Sequence, residues 1–176
     1  MLLHIRQLEH KDIPNITNYW LNSSDQHLIS MGVDLEKIPS AKSFKTMLES
    51  QIELKDHLKQ SYALIWEMDG ESIGHSNVNK IIFGDEAYMH LHIWDKQFRK
   101  SGFGKALVKR SLKIFFEALE LKRIICEPYA LNRAPNRTLE QVGFKLETTY
   151  RTIPGSINFE QEVNRWIITK EDFLNL

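Results

Sequence analysis

The sequence predicts an α/β domain in which helices flank a mixed central sheet of about seven strands. Three observations carry this prediction. Strand-like and helix-like segments follow one another in the order β-α-α-β-β-β-α-β-α-β-β, which requires a mixed sheet. The dipeptide Asp69-Gly70, a strong hairpin turn signal, joins two neighbouring strands. An apolar run, Ala87 to Trp94, feeds a glycine-bearing loop that opens a long amphipathic helix. With 176 residues, 42% hydrophobic and 26% charged, the chain suits one globular domain spanning 1–176.

The elements follow in order. Residues 2–8 read as a short strand, and Lys11 to Leu21 as a polar helix ending near Trp20. Ser40 starts a second helix that runs to about Leu54, with Phe44, Met47, Leu48 and Ile52 at helical spacing. Ser61 to Met68 and Ser72 to Lys80 form the hairpin, and Ala87 to Trp94 the next strand. Residues 102–120 form an amphipathic helix, and Lys122 to Pro128 a strand. Pro135 to Val142 is a short helix that Gly143 stops in the C-cap role. Phe144 to Thr152 and Glu160 to Thr169 close the chain as strands around Pro154-Gly155.

Composition excludes several classes. Lys+Arg and Asp+Glu both number 23, so the chain lacks the basic excess of a nucleic-acid surface. One cysteine, Cys126, builds neither a disulfide framework nor a thiolate zinc site, and no metal is expected. No apolar run reaches the length of a membrane span, and the N-terminal residues lack the pattern of a signal peptide. The expectation is a cytoplasmic protein with no nucleic-acid or membrane partner.

The stretch Arg99-Lys-Ser-Gly-Phe-Gly-Lys105 is the most informative. A glycine loop between a strand and a helix is an anion site, because glycines let the backbone approach a ligand and the first helical N–H groups lack internal partners. A phosphorylated ligand follows. A Walker A loop would need a hydroxyl residue where Ala106 stands, and a dinucleotide fingerprint would need glycine where Leu107 stands. What remains is Arg-x-x-Gly-x-Gly. A second segment, Asn132-Arg-Ala-Pro-Asn-Arg-Thr-Leu-Glu-Gln-Val-Gly-Phe144, follows the strand after the loop's helix.

Both motifs, in this order, resemble those of the GNAT superfamily of acyl-CoA N-acyltransferases, and the likeness covers nearly the whole chain. Tyr150 to Trp166 further resembles the branch holding ribosomal-protein N-terminal alanine acetyltransferases. The resemblance implies acetyl-CoA as co-substrate, with Gly102, Phe103, Gly104 and Lys105 supplying N–H groups to the pyrophosphate and Arg99 adding charge or backbone contacts. It implies that the strand at 87–94 splays from the strand at 122–128, so that backbone near Ile93, Trp94 and Asp95 pairs with the pantetheine arm. Asn132 resembles the asparagine that bonds that arm, with Asn136 beside it. Homodimers are frequent in the family.

Attack of an amine on a thioester needs a neutral amine, hence a route for its proton. His90 and His92 lie two apart on one strand, face the same way, and resemble paired histidines of arylalkylamine acetyltransferases. Near pKa 6.5 such a side chain suits a proton relay; the competing reading is a pair satisfied inside the sheet. Glu86 and Glu127 are the other base candidates. Many relatives carry an acidic tyrosine where Leu139 stands and alanine or serine where Pro135 stands. Tyr129, Tyr150 or water then serves as acid, and Cys126 reads as core. Glu160 and Glu162, taken to share a face of the last strand, either attract a cationic acceptor or lie on an exposed face. Trp20, Met31 and Phe44 line the acceptor site or pack the core. The predicted activity is acetyl transfer to a primary amine of a small molecule or a protein N-terminus; the alternative is an inactive acetyl-CoA-binding module.

Overall fold

The computed structural model describes residues 2–99 and 102–176, with the side chain of Lys96 also outside the description. Lys100 and Ser101 of the glycine loop therefore lie outside the described residues. Seven strands form one sheet: β1 (Leu3–Gln7), β2 (Ser61–Met68), β3 (Glu71–Ile82), β4 (Glu86–Ile93), β5 (Arg123–Cys126), β6 (Lys145–Thr152) and β7 (Gln161–Thr169). Their spatial order is β1-β2-β3-β4-β5-β7-β6. The β4–β5 pair is parallel and the other pairs are antiparallel, so the sheet is mixed.

The helices are α1 (Ile13–Asn22), α2 (Asp25–Ser30), α3 (Ala41–Ile52), α4 (Phe103–Ala118), α5 (Arg133–Val142) and α6 (Lys170–Leu174). Side-chain caps explain several starts: Ser24 accepts from His27 N, Ser40 from Ser43 N, and Thr169 from Asp172 N. Asp69 (φ 49°) and Gly70 (φ 86°) both occupy the left-handed region, the requirement of a type I′ hairpin turn. The six-residue α2 and five-residue α6 were not anticipated from the sequence, being too short to display a helical period.

One face of the sheet carries α4 and α5 and the main core. Leu107, Val108, Leu112, Phe115 and Phe116 of α4 are buried against Trp66, Val78, Ala87, Met89, Ile124 and Ile168. Each such side chain contributes about 2 kcal/mol by leaving water. The one polar side chain buried on α4, Ser111, accepts the Trp66 indole N–H at 2.9 Å and donates to Leu107 O at 2.9 Å. The opposite face carries α1 and α3, whose Ile13, Ile16 and Leu48 meet Ile65 with Trp20, Ile52 and Trp94 around them.

Two features position a site. The β4–β5 pairing stops after Glu86↔Arg123, Ala87↔Ile124 and Tyr88↔Ile125. Trp94 N bonds Ile73 O in the β3–β4 ladder, so by antiparallel alternation Leu91 and Ile93 aim their backbone groups toward β5, which is no longer alongside. Secondly, the β6–β7 loop is strapped to the segment after α2. Gly32 O accepts from Asn158 Nδ2 and Gln161 Nε2, both at 2.9 Å, and Asp34 N bonds Ile157 O at 2.8 Å. The Gln161 amide presses on the Gly32 Cα, so any side chain there would collide with it.

Candidate active site

The glycine loop meets α4 at the open end of the β4–β5 gap. Gly102 is the N-cap of α4 at φ 86°, a conformation glycine adopts without strain. Phe103, Gly104 and Lys105 then present their N–H groups in the first turn, where no helical acceptor reaches them and the helix dipole favours an anion. A Cβ built on Gly104 would touch Thr138 at an ordinary 3.8 Å. Packing within the chain therefore does not require a glycine at 104. The loop, the helix start and the open gap together fit a pyrophosphate with an extended arm.

Arg99 turns away from this helix start. Its guanidinium donates to Ile93 O (Nε, 3.1 Å; Nη2, 2.9 Å) and Trp94 O (Nη2, 3.2 Å), and lies 3.1–3.3 Å from the His27 ring nitrogens. Its charge seals the end of β4, which corrects the expectation that it adds charge at the pyrophosphate. Trp94 is also engaged: N–H on Ile73 O, C=O on Arg99, and indole N–H on His75 Nδ1 at 2.7 Å. The Leu91 and Ile93 N–H groups are backbone donors that face the gap.

Asn136 is a second correction. Its Nδ2 donates to Tyr129 O (3.1 Å) and Asn132 O (2.8 Å); its Oδ1 accepts from Asn164 Nδ2 (2.9 Å) and Trp166 Nε1 (2.8 Å). All four bonding positions of the amide are used, which leaves none for a coenzyme. Asn136 instead pins α5 to β7 and shapes the turn that carries Asn132, whose half-buried side chain makes no cap bond. Replacing Asn136 with leucine strips partners from the Trp166 and Asn164 donors. A loss on the order of 3 kcal/mol is expected in urea unfolding, whereas a role confined to the coenzyme would leave stability unchanged.

The sheet face away from α4 is polar. His75 and Asn79 of β3, Tyr88, His90 and His92 of β4, Glu127 beyond β5 and Arg165 of β7 share it. His90 Nε2 lies 3.1 Å from Asn79 Oδ1. His92 stacks on His75 with ring centroids 4.6 Å apart and reaches the Tyr19 hydroxyl at 3.3 Å from Nδ1. Burial lowers all three imidazoles: His75 to about 3, His90 to about 4 with Lys80 adding to the effect, and His92 well below its usual value. The expected value near 6.5 is therefore corrected, because a charged ring would lose its hydration there.

Acid should destabilise this layer. The unfolded chain takes protons on these histidines near pH 6.5 and the folded chain only near 3–4, so the unfolded state binds more protons in between. Stability is full above pH 6.5 and falls by up to about 1.4 kcal/mol per histidine per pH unit below it. Melting temperature should drop between pH 7 and 5, and His75→Gln should flatten the drop. A flat wild-type profile would contradict the burial.

The carboxylate candidates are scattered. Glu86 sits at the start of β4 in a 2.7 Å pair with Arg123, about 13 Å along the strand from His90. It does not join the histidines. Glu127 does share their face, but Arg165 Nη1 (2.7 Å) and the Tyr150 hydroxyl (2.6 Å) both donate to its Oε1, and Arg165 also reaches Tyr88 and Glu147. Tyr150 is pushed up to about 12 by burial and by this carboxylate, which weakens it as an acid. Glu160 precedes β7 rather than lying on it and pairs with Arg151 at 2.7 Å. Glu162 is exposed and alternates with Asn164 and Trp166, on the α5 side rather than the histidine side. Arg151 is the cross-strand partner of Glu162, so both acids stand on one exposed face around Arg151, away from the histidines. Cys126 is buried among core residues, its thiol pushed up by burial.

Sequence reasoning passed over His75, Tyr19, His27 and Arg165. A signal for the first existed: His75, Asn77 and Asn79 alternate along β3, which marks one face of that strand as polar. The others come from distant elements.

Among the described residues no helix is long and apolar enough to cross a membrane. No curated protein sequence matches the chain significantly. The spermidine N-acetyltransferase of Vibrio cholerae, solved in complex with CoA and spermine, superposes with a TM-score of 0.79 at 22% identity, over 98% of each chain. A chimera of that enzyme, SpeG, with hSSAT gives 0.78 at 22% over 100% of each. These likenesses establish a common fold. Residues 3–145 match the family model described as an acetyltransferase (GNAT) domain. With that match over most of its length, the chain belongs to the GNAT acetyltransferase family, transferases that use acetyl-CoA as co-substrate.

Proposed function

We propose that the enzyme transfers the acetyl group of acetyl-CoA directly to the primary amine of a small molecule. The single observation that carries this reading is the juxtaposition at β4. One side of the strand's end opens a gap toward β5 beside the α4 N-terminus, while the adjacent polar face presents His90.

The N–H groups of Phe103, Gly104 and Lys105 hold the pyrophosphate, and Ile93 N–H orients the arm in the gap. Asn132 closes the other side. His90 acts on the amine's proton. Donating Nε2–H to Asn79 Oδ1 leaves Nδ1 as the accepting atom. With its affinity for protons lowered to about 4, the ring is neutral through the physiological range. It takes the proton late, once bond formation has made the amine N–H strongly acidic. The acceptor must therefore arrive neutral. Glu127, held by Arg165 and Tyr150, sets the field beside His90 rather than serving as the base. The departing thiolate takes its proton from water, since Leu139 is buried where relatives carry a tyrosine.

The cytoplasm, where acetyl-CoA is at hand and the unpaired Cys126 stays reduced, is the proposed compartment. Thiol release from acetyl-CoA across a panel of small amines tests the reading. Binding of acetyl-CoA without transfer to any amine would replace it with an inactive coenzyme-binding module.

A further inference from the structure

Three asparagines project from one face of α1. Asn15, Asn18 and Asn22 lie three and four residues apart, at the helical spacing that aligns side chains, and all three are exposed. Asparagine is among the poorer helix formers, because its amide competes with the helix for backbone bonds. Exposed helical positions are more often lysine, glutamate or glutamine. No described residue bonds these three amides, so their donors and acceptors face outward. With Ser23, Tyr19 and Trp94 they line a cleft of about 280 Å³.

The cleft adjoins the site proposed above. Trp94 directly follows Ile93 at the gap. Tyr19 lines the cleft with its ring and reaches His92 with its hydroxyl at 3.3 Å. Its charge is equally informative. No carboxylate lines it. On the neighbouring histidine face Glu127 is tied to Arg165, and Lys80 adds a cation there, held by Pro154 O at 2.9 Å over the Tyr88 ring. A second cation on the acceptor would find no carboxylate in the cleft lining, the nearest along the chain being Asp25 and Asp95 beside it. Amides and hydroxyls on the acceptor would find partners on Asn15, Asn18, Asn22 and Ser23.

We propose that this cleft seats the body of the acceptor and selects one cationic amine on an uncharged, hydrogen-bonding frame, against polyamines. The inference rests on the acetyl-transfer reading for the identity of the site, and on the amide cleft for the selection.

The test has two arms and two readouts. Serinamide stands for an amide frame, glucosamine for a hydroxyl frame, and spermidine for a polycation. In wild-type protein with CoA present, thermal shift should rank serinamide or glucosamine above spermidine, and which of the two leads identifies the frame. In the variant Asn18→Ala/Asn22→Ala the affinity for the leading ligand should fall about tenfold, the consequence of losing uncharged hydrogen bonds. That variant should melt no lower than wild type, since alanine is the better helix former. Asn18→Asp/Asn22→Asp should move the preference toward spermidine by tenfold or more. Turnover should show the same ranking in kcat/KM. Spermidine binding better than both neutral-framed amines, or an alanine variant with unchanged affinities, would overturn the inference. Binding differences that persist while no amine is acetylated would leave the cleft standing and remove the acetyl-transfer reading.

Discussion

Gly104→Asp is expected to abolish acetyl-CoA binding, by at least 100-fold, while the protein stays folded. The argument separates the two effects. Gly104 is the second residue of α4, where a negative side chain complements the helix dipole and helical backbone is unstrained for any residue. A Cβ there meets only Thr138, at 3.8 Å. The fold therefore tolerates the change. The pyrophosphate does not, because the carboxylate would stand where the phosphate oxygens approach the N–H groups of Phe103 to Lys105. Gly104→Ala sharpens the test. Replacing a helical glycine by alanine stabilises by about 1 kcal/mol, so its melting temperature should rise while its coenzyme affinity falls. Calorimetric titration with acetyl-CoA, alongside a thermal melt of each variant, reads both. An aspartate variant that binds acetyl-CoA like wild type would end the assignment of this loop.

His90→Ala should lower kcat by about 10² to 10⁴-fold, the range for losing a positioned proton acceptor, with acetyl-CoA affinity kept. That loss corresponds to roughly 3–5 kcal/mol of barrier. Because the wild-type ring is already neutral above about pH 4, the acidic limb of the rate profile should follow the acceptor's own amine rather than a histidine near 6.5. Comparing two acceptors of different basicity checks this: the limb should move with the acceptor. A limb fixed near pH 6.5 for both would overturn the lowered proton affinity of the histidine, and a kcat reduced by less than fivefold in the alanine variant would remove His90 from the reaction.

The fold was largely legible because its signals are local. Asp69-Gly70, the period of α4 and the Gly143 stop each act within a few residues, and each corresponds to an element in the structure. The glycine loop was legible for the same reason. The roles of single polar side chains were not, because what stands across from them decides their chemistry. Arg99 looks like a phosphate ligand in sequence, yet the carbonyls of Ile93 and Trp94 are closer to hand. Asn136 lies in a coenzyme motif, yet Trp166 and Asn164, thirty and twenty-eight residues on, fill its valences. The histidines were found as a pair, but their depressed proton affinity depends on α1 and β3 closing over them.

The short β4–β5 ladder has a consequence outside the reaction itself. Three parallel residue pairs join the two halves of the sheet, and beyond them the Leu91 peptide groups and the Ile93 N–H face a strand that is no longer alongside. A molecule that lies along that edge completes the sheet and stabilises it by mass action. Unliganded chains should open at this seam first and be the ones that cellular proteases cut. Limited proteolysis of the protein should therefore slow when acetyl-CoA is added.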